Sequence, residues 1–404
     1  MMFCIVPPGV IEDKMKISSS QIDRIEKPLR VVMLIHSFHP LVGGMELQLG
    51  AIAPLLGKQG IEVHILTRRH KGLKKFEIIK GVPVHRLPIP GPKPVAALIF
   101  IVSALFLIKK IHPDVINAHE LYSTATTAIM AKLLMGIPIV VTPHRSGLPG
   151  DVQRLKSKIF GSLRMALFRK NVDIFTVISN EIKSELKIVG VPEEHCVSIP
   201  NGVNTAHFKP LTLSQKEAVR SRLGFTKSDL LVVFNGRLVS VKRVENLISI
   251  WPPIISHFPS ATLLILGGGA EENRLRSMAG DRILFLGSVK DVLESLQMAD
   301  LFVLPSSAEG QSNALLEALA CALPAIVTKV GGSVDIIRHA ENGWLIPPED
   351  PSALKEAILT LLGDAALRSR LGKKARKEVR RRFSISLTVE RLKVLYHSLG
   401  RQLS

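Results

Sequence analysis

The sequence is poor in cysteine and in the aromatic residues that stack on nucleic acid bases. Its 404 residues include three cysteines, Cys4, Cys196 and Cys321, with no Cys-x-x-Cys pair. Neither a disulfide framework nor a zinc site is therefore expected, and a reducing cytoplasmic setting fits. With two tryptophans, two tyrosines and no helix-turn-helix or RNA-binding motif, a nucleic acid partner is not expected either.

Several nucleotide and metal motifs are also missing. The glycines of GGGAEEN, starting at Gly267, do not follow G-x-G-x-x-G, and no G-x-x-x-x-G-K-[ST] segment occurs. A dinucleotide site and a P-loop are therefore not expected. No Asp-x-Asp or histidine-rich spacing is present, so the sequence does not predict a metal.

Acidic residues are outnumbered by basic ones, 34 to 53, which gives a formal net charge of +19. Such a charge predicts an anionic partner, either an acidic membrane surface or a phosphorylated substrate once nucleic acid is disfavoured.

Long hydrophobic segments are scarce as well. The longest apolar run, Val95–Ile108, is shorter than the about 20 residues that a membrane-spanning helix needs. We expect a buried helix there. Shallow contact with a membrane interface is the alternative, because Lys109 and Lys110 follow directly. Residues 1–28 lack the basic start of a secretion signal and are expected to form a mobile extension.

What the chain does contain is a repeated pattern of short apolar segments, each followed by a loop and a helical pattern. The segments begin at Leu29, Ile61, Pro113, Ile137 and Val172, and again at Leu230, Ala261, Arg282, Asp300 and Pro324. The turn-rich stretch 199–210 separates the two sets. This predicts an α/β protein with two doubly wound, Rossmann-like parallel sheets, in residues 29–205 and 211–384. The last helix, 385–404, is expected to pack back on the first domain.

Two motifs in the second half combine charge with a strand end, where ligands bind in such sheets. In FNGRLVSVKR, Gly236 leaves room and Arg237 and Lys242 suit a diphosphate, although they could also be ordinary surface charges. In AEGQSNALLEALA, Glu309 lies on a loop, and Ser312 or Asn313 caps the following helix.

Glu317 lies about one turn inside that helix among leucines. Its carboxylate can accept hydrogen bonds from ribose hydroxyls, whereas a solvent-facing glutamate is the alternative.

Two motifs of the first half fall in the same kind of place. Gly43 and Gly44 join the first strand's loop to a helix, where backbone N–H groups can approach a phosphate or a sugar. Glu46 is interpreted as a first-turn helix residue. His144 follows a buried strand and could bond a substrate hydroxyl or serve only a structural role, and His119 has a similar setting.

In combination, these residues resemble the family 4 glycosyltransferases, which have the GT-B fold. The resemblance runs from about Leu29 to Leu395 and includes VVTPHRSG, IPNGV, GRLVSVK and PSSAEGQSNALLEALACALPAIVTKVGG. The family's pattern E-x7-E falls here on Glu309 and Glu317. Asn204, Cys321, Ala322, Lys329 and Asp335 depart from the residues usual in the family, and Lys329 changes the local charge near the donor loop.

The resemblance implies a metal-independent, retaining transfer of a sugar from a UDP- or GDP-sugar to a hydroxyl. His144, Arg237, Lys242 and Glu309 are the expected catalytic residues. The expected donor contacts are Gly43, Gly44, Gly236, Arg237, Lys242, Val289, Glu309, Gly310, Gln311, Ser312, Asn313 and Glu317.

The expected acceptor is lipid-linked or membrane-associated, in cell-envelope polysaccharide or glycolipid synthesis. The cations between Arg145 and Lys187 suit the anionic inner face of a membrane. A soluble transferase acting on a small acceptor, and a catalytically silent binder of nucleotide sugars or polyanions, remain alternatives.

Overall fold

The computed structural model describes residues 28–41, 43–147, 150–158, 160–289 and 291–400. The described residues form two sheets, both covered by helices. The α/β class with two largely parallel sheets is confirmed. Apart from Pro28, the extension expected for residues 1–28 lies outside the described residues.

The first sheet has eight strands in the order β3-β4-β2-β1-β5-β6-β7-β8. They are β1 Leu29–Leu34, β2 Ile61–Arg68, β3 Phe76–Ile79, β4 Val82–Leu87, β5 Val115–His119, β6 Ile139–Thr142, β7 Ile174–Val177 and β8 Cys196–Ser198. In the centre, Val31 of β1 lies opposite Val63 of β2 and Val115 of β5. The strand order reverses between β1 and β5, and ligands bind at such a point in doubly wound sheets.

The second sheet has six strands in the order β11-β10-β9-β12-β13-β14, all of them parallel. They are β9 Leu230–Asn235, β10 Ala261–Leu266, β11 Ile283–Gly287, β12 Leu301–Leu304, β13 Ala325–Thr328 and β14 Trp344–Ile346. Here the order reverses between β9 and β12, the two strands that precede the RLVSVK and AEGQ loops.

The ten predicted strands are all present, and the strands that the apolar pattern missed are β3, β4, β8 and β14. One of the strands that was not predicted departs from the parallel arrangement, because β3 pairs antiparallel with β4. Only Lys80 and Gly81 connect the two, both with positive φ (50° and 81°). A two-residue turn of this kind can join only antiparallel strands.

The helices of the first domain are α1 Gly44–Lys58, α2 Lys93–Ile111, α3 Ser123–Met135, α4 Asp151–Lys156, α5 Gly161–Asn171 and α6 Asn180–Ile188. Those of the second are α7 Leu213–Arg222, α8 Val244–Ser249, α9 Trp251–His257, α10 Glu272–Met278, α11 Leu293–Met298, α12 Asn313–Ala320, α13 Ser333–Ile336, α14 Pro351–Gly363 and α15 Ala365–Arg382, followed by α16 Ile385–Gly400.

Alternate residues of β1 enter two different cores, as the period of a strand requires. Val32 and Leu34 pack with α2 to α6, while Val31 and Met33 pack with α1 and α16. The second domain has one continuous core.

The last helix lies on the first domain. Tyr396 of α16 is fully buried, and Asn117 of β5 donates a hydrogen bond to its hydroxyl at 2.7 Å. The chain therefore crosses twice between the domains, and Val203 of the outgoing segment forms a bridge with Ser384 of the returning one. Gly202 is required there, since a Cβ would lie 2.5 Å from Cα of Ile385.

Helix α2 differs from the buried helix that was expected. Its Phe100, Ala104 and Ile108 are buried, but Leu98 and Phe106 are 61% and 76% exposed. It is the one described helix that is long and apolar enough to span a membrane by length and composition. Because α2 connects β4 to β5 and packs on the sheet, it acts in this fold as a crossover helix.

Candidate active site

The reversal points of the two sheets face each other across the boundary between the domains. Ser146, after β6, places its Oγ 2.7 Å from the carbonyl oxygen of Glu309, after β12. The amide of Asn313 donates to the carbonyl oxygen of Gly44 at 2.7 Å. Loops from both domains therefore meet at the predicted donor site.

The backbones of the two domains lie close together at Gly310. A Cβ on this residue would lie only 1.9 Å from the carbonyl oxygen of His144. No side chain fits there without moving one backbone away from the other. The glycine of the AEGQ loop is thus an interdomain packing residue.

The two cations predicted to hold a diphosphate have different environments. Arg237 follows β9 and Gly236, is exposed, and forms no hydrogen bond or ion pair with the side chain of any described residue. Lys242 ends the short helix Ser240–Lys242, and its Nζ pairs with Oε1 of Glu309. Oγ of Ser306 donates to the same carboxylate oxygen at 2.7 Å. Arg237 is thus available to a ligand, whereas Lys242 is already neutralised.

The glycine-rich segment after β10 packs against the loop that carries Arg237. Gly267 has φ of +124°, and a Cβ on it would lie 1.9 Å from the carbonyl oxygen of Gly236. These glycines permit close backbone packing beneath the Arg237 loop.

Of the two residues predicted to cap the helix after the AEGQ loop, the structure uses the first. Ser312 caps α12, because its Oγ accepts a hydrogen bond from the N–H of Leu315 at 3.2 Å. Glu317 is the fifth residue of α12. Burial, with a smaller contribution from the negative charge of Asp291, raises its pKa to about 8. Val289, where the base was expected to stack, is 38% exposed and lies two residues before Asp291.

Two other predicted donor contacts use their side chains between the domains. Asn201 in the linker donates its N–H to Oε1 of Gln311 at 2.5 Å, and Asn313 bonds Gly44 as described above. The side-chain oxygen of Gln311 is therefore already engaged by the linker.

His144 is held in place by buried neighbours. Its N–H donates to Oδ2 of Asp151 at 2.7 Å, and its ring Nε2 lies 2.9 Å from Nδ1 of His119. Burial, and then the charges of His119 and Arg145, hold the pKa of His144 well below its usual value. The ring is therefore neutral at pH 7. Its Nδ1 has no partner among the described residues and can bond a ligand.

Gly43 is the N-cap of α1, and Gly44 is its first residue. The carboxylate of Glu46 folds back over this end, since a Cβ on Gly43 would lie 2.5 Å from its Oε2. The first-turn position predicted for Glu46 is confirmed.

Sequence reasoning missed the residues that position others. Asp151 is fully buried yet stands in the basic run RSGLPGDVQRLKSK, and this single acid was the available signal. Ser146 and Ser306 carry no such signal, because serine is common in loops. Among the described residues, no group of three His, Cys, Asp or Glu side chains is arranged to hold a metal ion.

Comparison with known proteins gives two family matches. The model of glycosyltransferase family 4 matches residues 42–207, and that of the glycosyl transferases group 1 matches residues 215–378. The first match lies in the first domain and the second in the second domain.

Individual proteins match over nearly the whole chain. N-acetyl-alpha-D-glucosaminyl L-malate synthase of Bacillus anthracis is 26% identical, over 90% of this chain and 96% of the relative. The GDP-mannose-dependent monoacylated alpha-(1-6)-phosphatidylinositol monomannoside mannosyltransferase of Corynebacterium glutamicum is 27% identical, with the same coverage.

Anabaena HepE in complex with UDP-glucose superimposes with a TM-score of 0.78 at 19% identity, covering 92% of this chain and all of that one. The fold and both family matches agree. The chain belongs to the family 4 glycosyltransferases and has the GT-B fold.

Proposed function

We propose that this glycosyltransferase takes its sugar from a UDP- or GDP-sugar without a metal. It would transfer the sugar, with retention, to a hydroxyl of a lipid-linked or membrane-associated acceptor. The observation that carries the donor assignment is that Arg237, the Lys242–Glu309 pair and Glu317 all follow β9 or β12, the strands at the reversal point of the second sheet.

The environment of each of these residues suits a different part of the donor. Arg237 is free to form a forked contact with a diphosphate, whose charge grows as the sugar departs. Lys242 would turn from Glu309 toward the phosphate or stay to orient that carboxylate over the sugar. Glu317 would accept hydrogen bonds from the ribose. The UDP-glucose in HepE and the GDP-mannose in the name of the Corynebacterium relative support a nucleotide-sugar donor.

His144 reaches the same place from the first domain. Because its imidazole is neutral, it would bond a sugar hydroxyl through Nδ1 and would not supply a full positive charge. Retention rests on the resemblance to family 4, and analysis of the anomeric configuration of the product tests it.

The donor test combines binding with turnover. We expect a panel of nucleotide sugars to raise the melting temperature of the protein for one donor, by mass action, and that donor to be hydrolysed slowly. Arg237→Ala should lower turnover by about 10² or more. Lys227→Ala is the control, because it removes an exposed cation from the opposite end of the same strand. Unchanged turnover in Arg237→Ala would favour the silent-binder alternative.

A membrane-associated acceptor is favoured by the outer face of α2, α3 and α5. We call this face the apolar-basic surface. Its exposed apolar residues, with exposures of 38% to 76%, are Val95, Leu98, Val102, Phe106, Met130, Leu133, Leu134, Leu163 and Leu167. An exposed apolar area of this extent marks an interaction site.

The charge of the apolar-basic surface points to an anionic membrane as its occupant. Helices α2, α3 and α5 contain no aspartate or glutamate, whereas Lys109, Lys110 and Lys170 lie exposed at their ends. Apolar side chains beside lysines suit the boundary between anionic headgroups and acyl chains.

Flotation with liposomes tests the membrane assignment. The protein should float with vesicles containing phosphatidylglycerol and remain in solution with purely zwitterionic ones. The double variant Leu98→Glu/Phe106→Glu should lose flotation. Leu213→Glu, which changes a leucine 74% exposed on α7, is the control and should float normally. Failure of the native protein to float would leave the soluble transferase as the better proposal. If the surface instead binds a second copy of the chain, light scattering would show a dimer.

A further inference from the structure

The carboxyl ends of β1, β2, β5 and β6 carry a second group of polar residues that the donor site does not use. Glu120 lies at its centre. Its Oε1 is 3.0 Å from Nη2 of Arg145, and its Oε2 is 3.4 Å from Nδ1 of His36. Tyr122 stands edge-on to His36, with ring centroids 6.0 Å apart, and the charge of Arg68 acts on both His36 and Glu120. We call these five residues the Glu120 cluster.

Glu120 has an unusual backbone conformation and an unusual degree of burial for a glutamate. Its φ is +69°, a left-handed conformation that residues other than glycine rarely adopt, and it is only 4% exposed. Backbone strain at a strand end is concentrated at functional sites. Burial raises the pKa of Glu120 to about 7 although Arg145 opposes this.

The Glu120 cluster is adjacent to the donor site. Arg145 directly follows His144, whose carbonyl oxygen contacts Gly310 of the donor loop. A hydroxyl bound at Glu120 would thus be on the first-domain side of the place where the sugar is expected.

A cavity of about 400 Å³ opens beside the cluster, between the loops after β2 and β4. Arg69, His70 and Lys71 line one side of it, and Pro88, Ile89 and Pro90 line the other. This volume is within the range of small-molecule sites. The chain connects the two, because Arg68 of the cluster directly precedes Arg69 of the cavity lining.

Positive charge dominates the cavity and the cluster together. Arg68, Arg69, Lys71 and Arg145 are permanent cations. The carboxylates nearby are Glu120 itself and, from outside the cluster, Asp151 and Glu46, whose charges act on it. Arg69 and Lys71 make no side-chain contact with any described residue. Unpaired cations lining a cavity favour an anionic ligand, and guanidinium groups fit phosphate or carboxylate oxygens.

We propose that the cavity and the Glu120 cluster form the acceptor site, which is selective for a hydroxylated acceptor that carries a phosphate or a carboxylate. Arg68, Arg69 and Lys71 hold the anionic group, and Glu120 accepts a hydrogen bond from a hydroxyl beside His144. This inference rests on the proposed function and narrows its acceptor to one chemical class.

Matched pairs of acceptors test the selectivity. With the donor identified above, glycerol 3-phosphate is compared with glycerol, and myo-inositol 1-phosphate with myo-inositol. The phosphorylated member should have a kcat/KM at least roughly tenfold higher, with donor hydrolysis unaffected. Equal use of both members would overturn the proposal. Phosphatidylinositol in vesicles, compared with soluble inositol phosphate, then distinguishes a lipid headgroup from a free phosphate.

Two variants connect the selectivity to the residues. Arg69→Ala/Lys71→Ala should raise the acceptor KM roughly tenfold or more and leave the donor KM unchanged. Glu120→Gln should lower kcat/KM for every acceptor while the preference for phosphate remains. Lys75→Ala, an exposed cation of the same loop outside the cavity lining, is the control. Unchanged acceptor KM in the double variant would refute the assignment.

A binding measurement separates this inference from the proposed function. Inorganic phosphate and myo-inositol 1-phosphate should raise the melting temperature of the native protein and of Lys75→Ala, but not that of Arg69→Ala/Lys71→Ala. If no nucleotide sugar binds but phosphate stabilises in this pattern, the proposed function fails and the anion site stands. If donors bind and phosphate stabilises all three proteins alike, the anion site is wrong.

Discussion

The buried carboxyl of Glu317 should link folding to pH. In the unfolded chain a glutamate loses its proton near pH 4.5, whereas burial raises the pKa of Glu317 to about 8. Between these values unfolding releases a proton, so the free energy of unfolding falls as pH rises from about 4.5 to about 8. At about 1.4 kcal/mol for each pKa unit, the contribution is at most about 5 kcal/mol.

Glu317→Gln removes this titration but keeps the size and polarity of the side chain. We expect chemical denaturation to show that the native protein loses stability relative to this variant between pH 5 and pH 8. Glu356→Gln, on an exposed residue of α14, should retain the native pH dependence. Identical pH slopes for the native protein and Glu317→Gln would refute the reasoning.

Donor binding should reverse the protonation of the same residue. Ribose hydroxyls that donate to the carboxylate favour its ionised form and lower its pKa. Free protein at pH 7 holds about 0.9 proton at a group with a pKa near 8, so UDP or GDP should release nearly that amount. Calorimetry in two buffers of different ionisation enthalpy measures the release. A release as large in Glu317→Gln would show that the proton comes from another group.

Three further substitutions test other parts of the site. Gly310→Ala should separate the domains, because its Cβ would meet the carbonyl oxygen of His144. Turnover should fall at least about 100-fold, and scattering should show a larger radius. Normal turnover would contradict the contact. Ser306→Ala removes one of two donors to Glu309 and should cost about 1 kcal/mol of barrier, measured as kcat with donor KM unchanged. Tyr396→Phe leaves a buried amide of β5 unpaired and should lower the free energy of unfolding by about 1–2 kcal/mol with turnover intact.

The fold was accessible from sequence because buried parallel strands leave a strong local signal. Strands such as β9 and β10, covered on both faces, consist almost entirely of apolar residues and are bounded by turns. The same signal failed at β3, which is mostly exposed, and at β14, which has three residues. The apolar pattern of α2 was also ambiguous, because periodicity alone does not distinguish a buried face from an exposed apolar one.

For the site, the sequence indicated which strand ends carry the charged and polar residues predicted to act. Gly236, Arg237 and Glu309 follow β9 and β12, which meet at the reversal point of the second sheet. His144 follows β6, next to β5 at the reversal point of the first sheet. The partners of these residues were not accessible. Lys242 pairs with Glu309 across 67 positions of sequence, and no local pattern encodes such a distance.

The sequence alone determined the class of fold, the division into two similar halves and the residue types at the strand ends, because each depends on local hydrophobic periodicity and motif spacing. Only the tertiary structure decided the charge states and contacts of those residues. It neutralised Lys242 with Glu309, left Arg237 free, kept His144 neutral and brought Glu120 among the cationic or imidazole side chains of Arg145, His36 and Arg68. Burial and proximity set these properties, and both arise only when segments distant in sequence pack together.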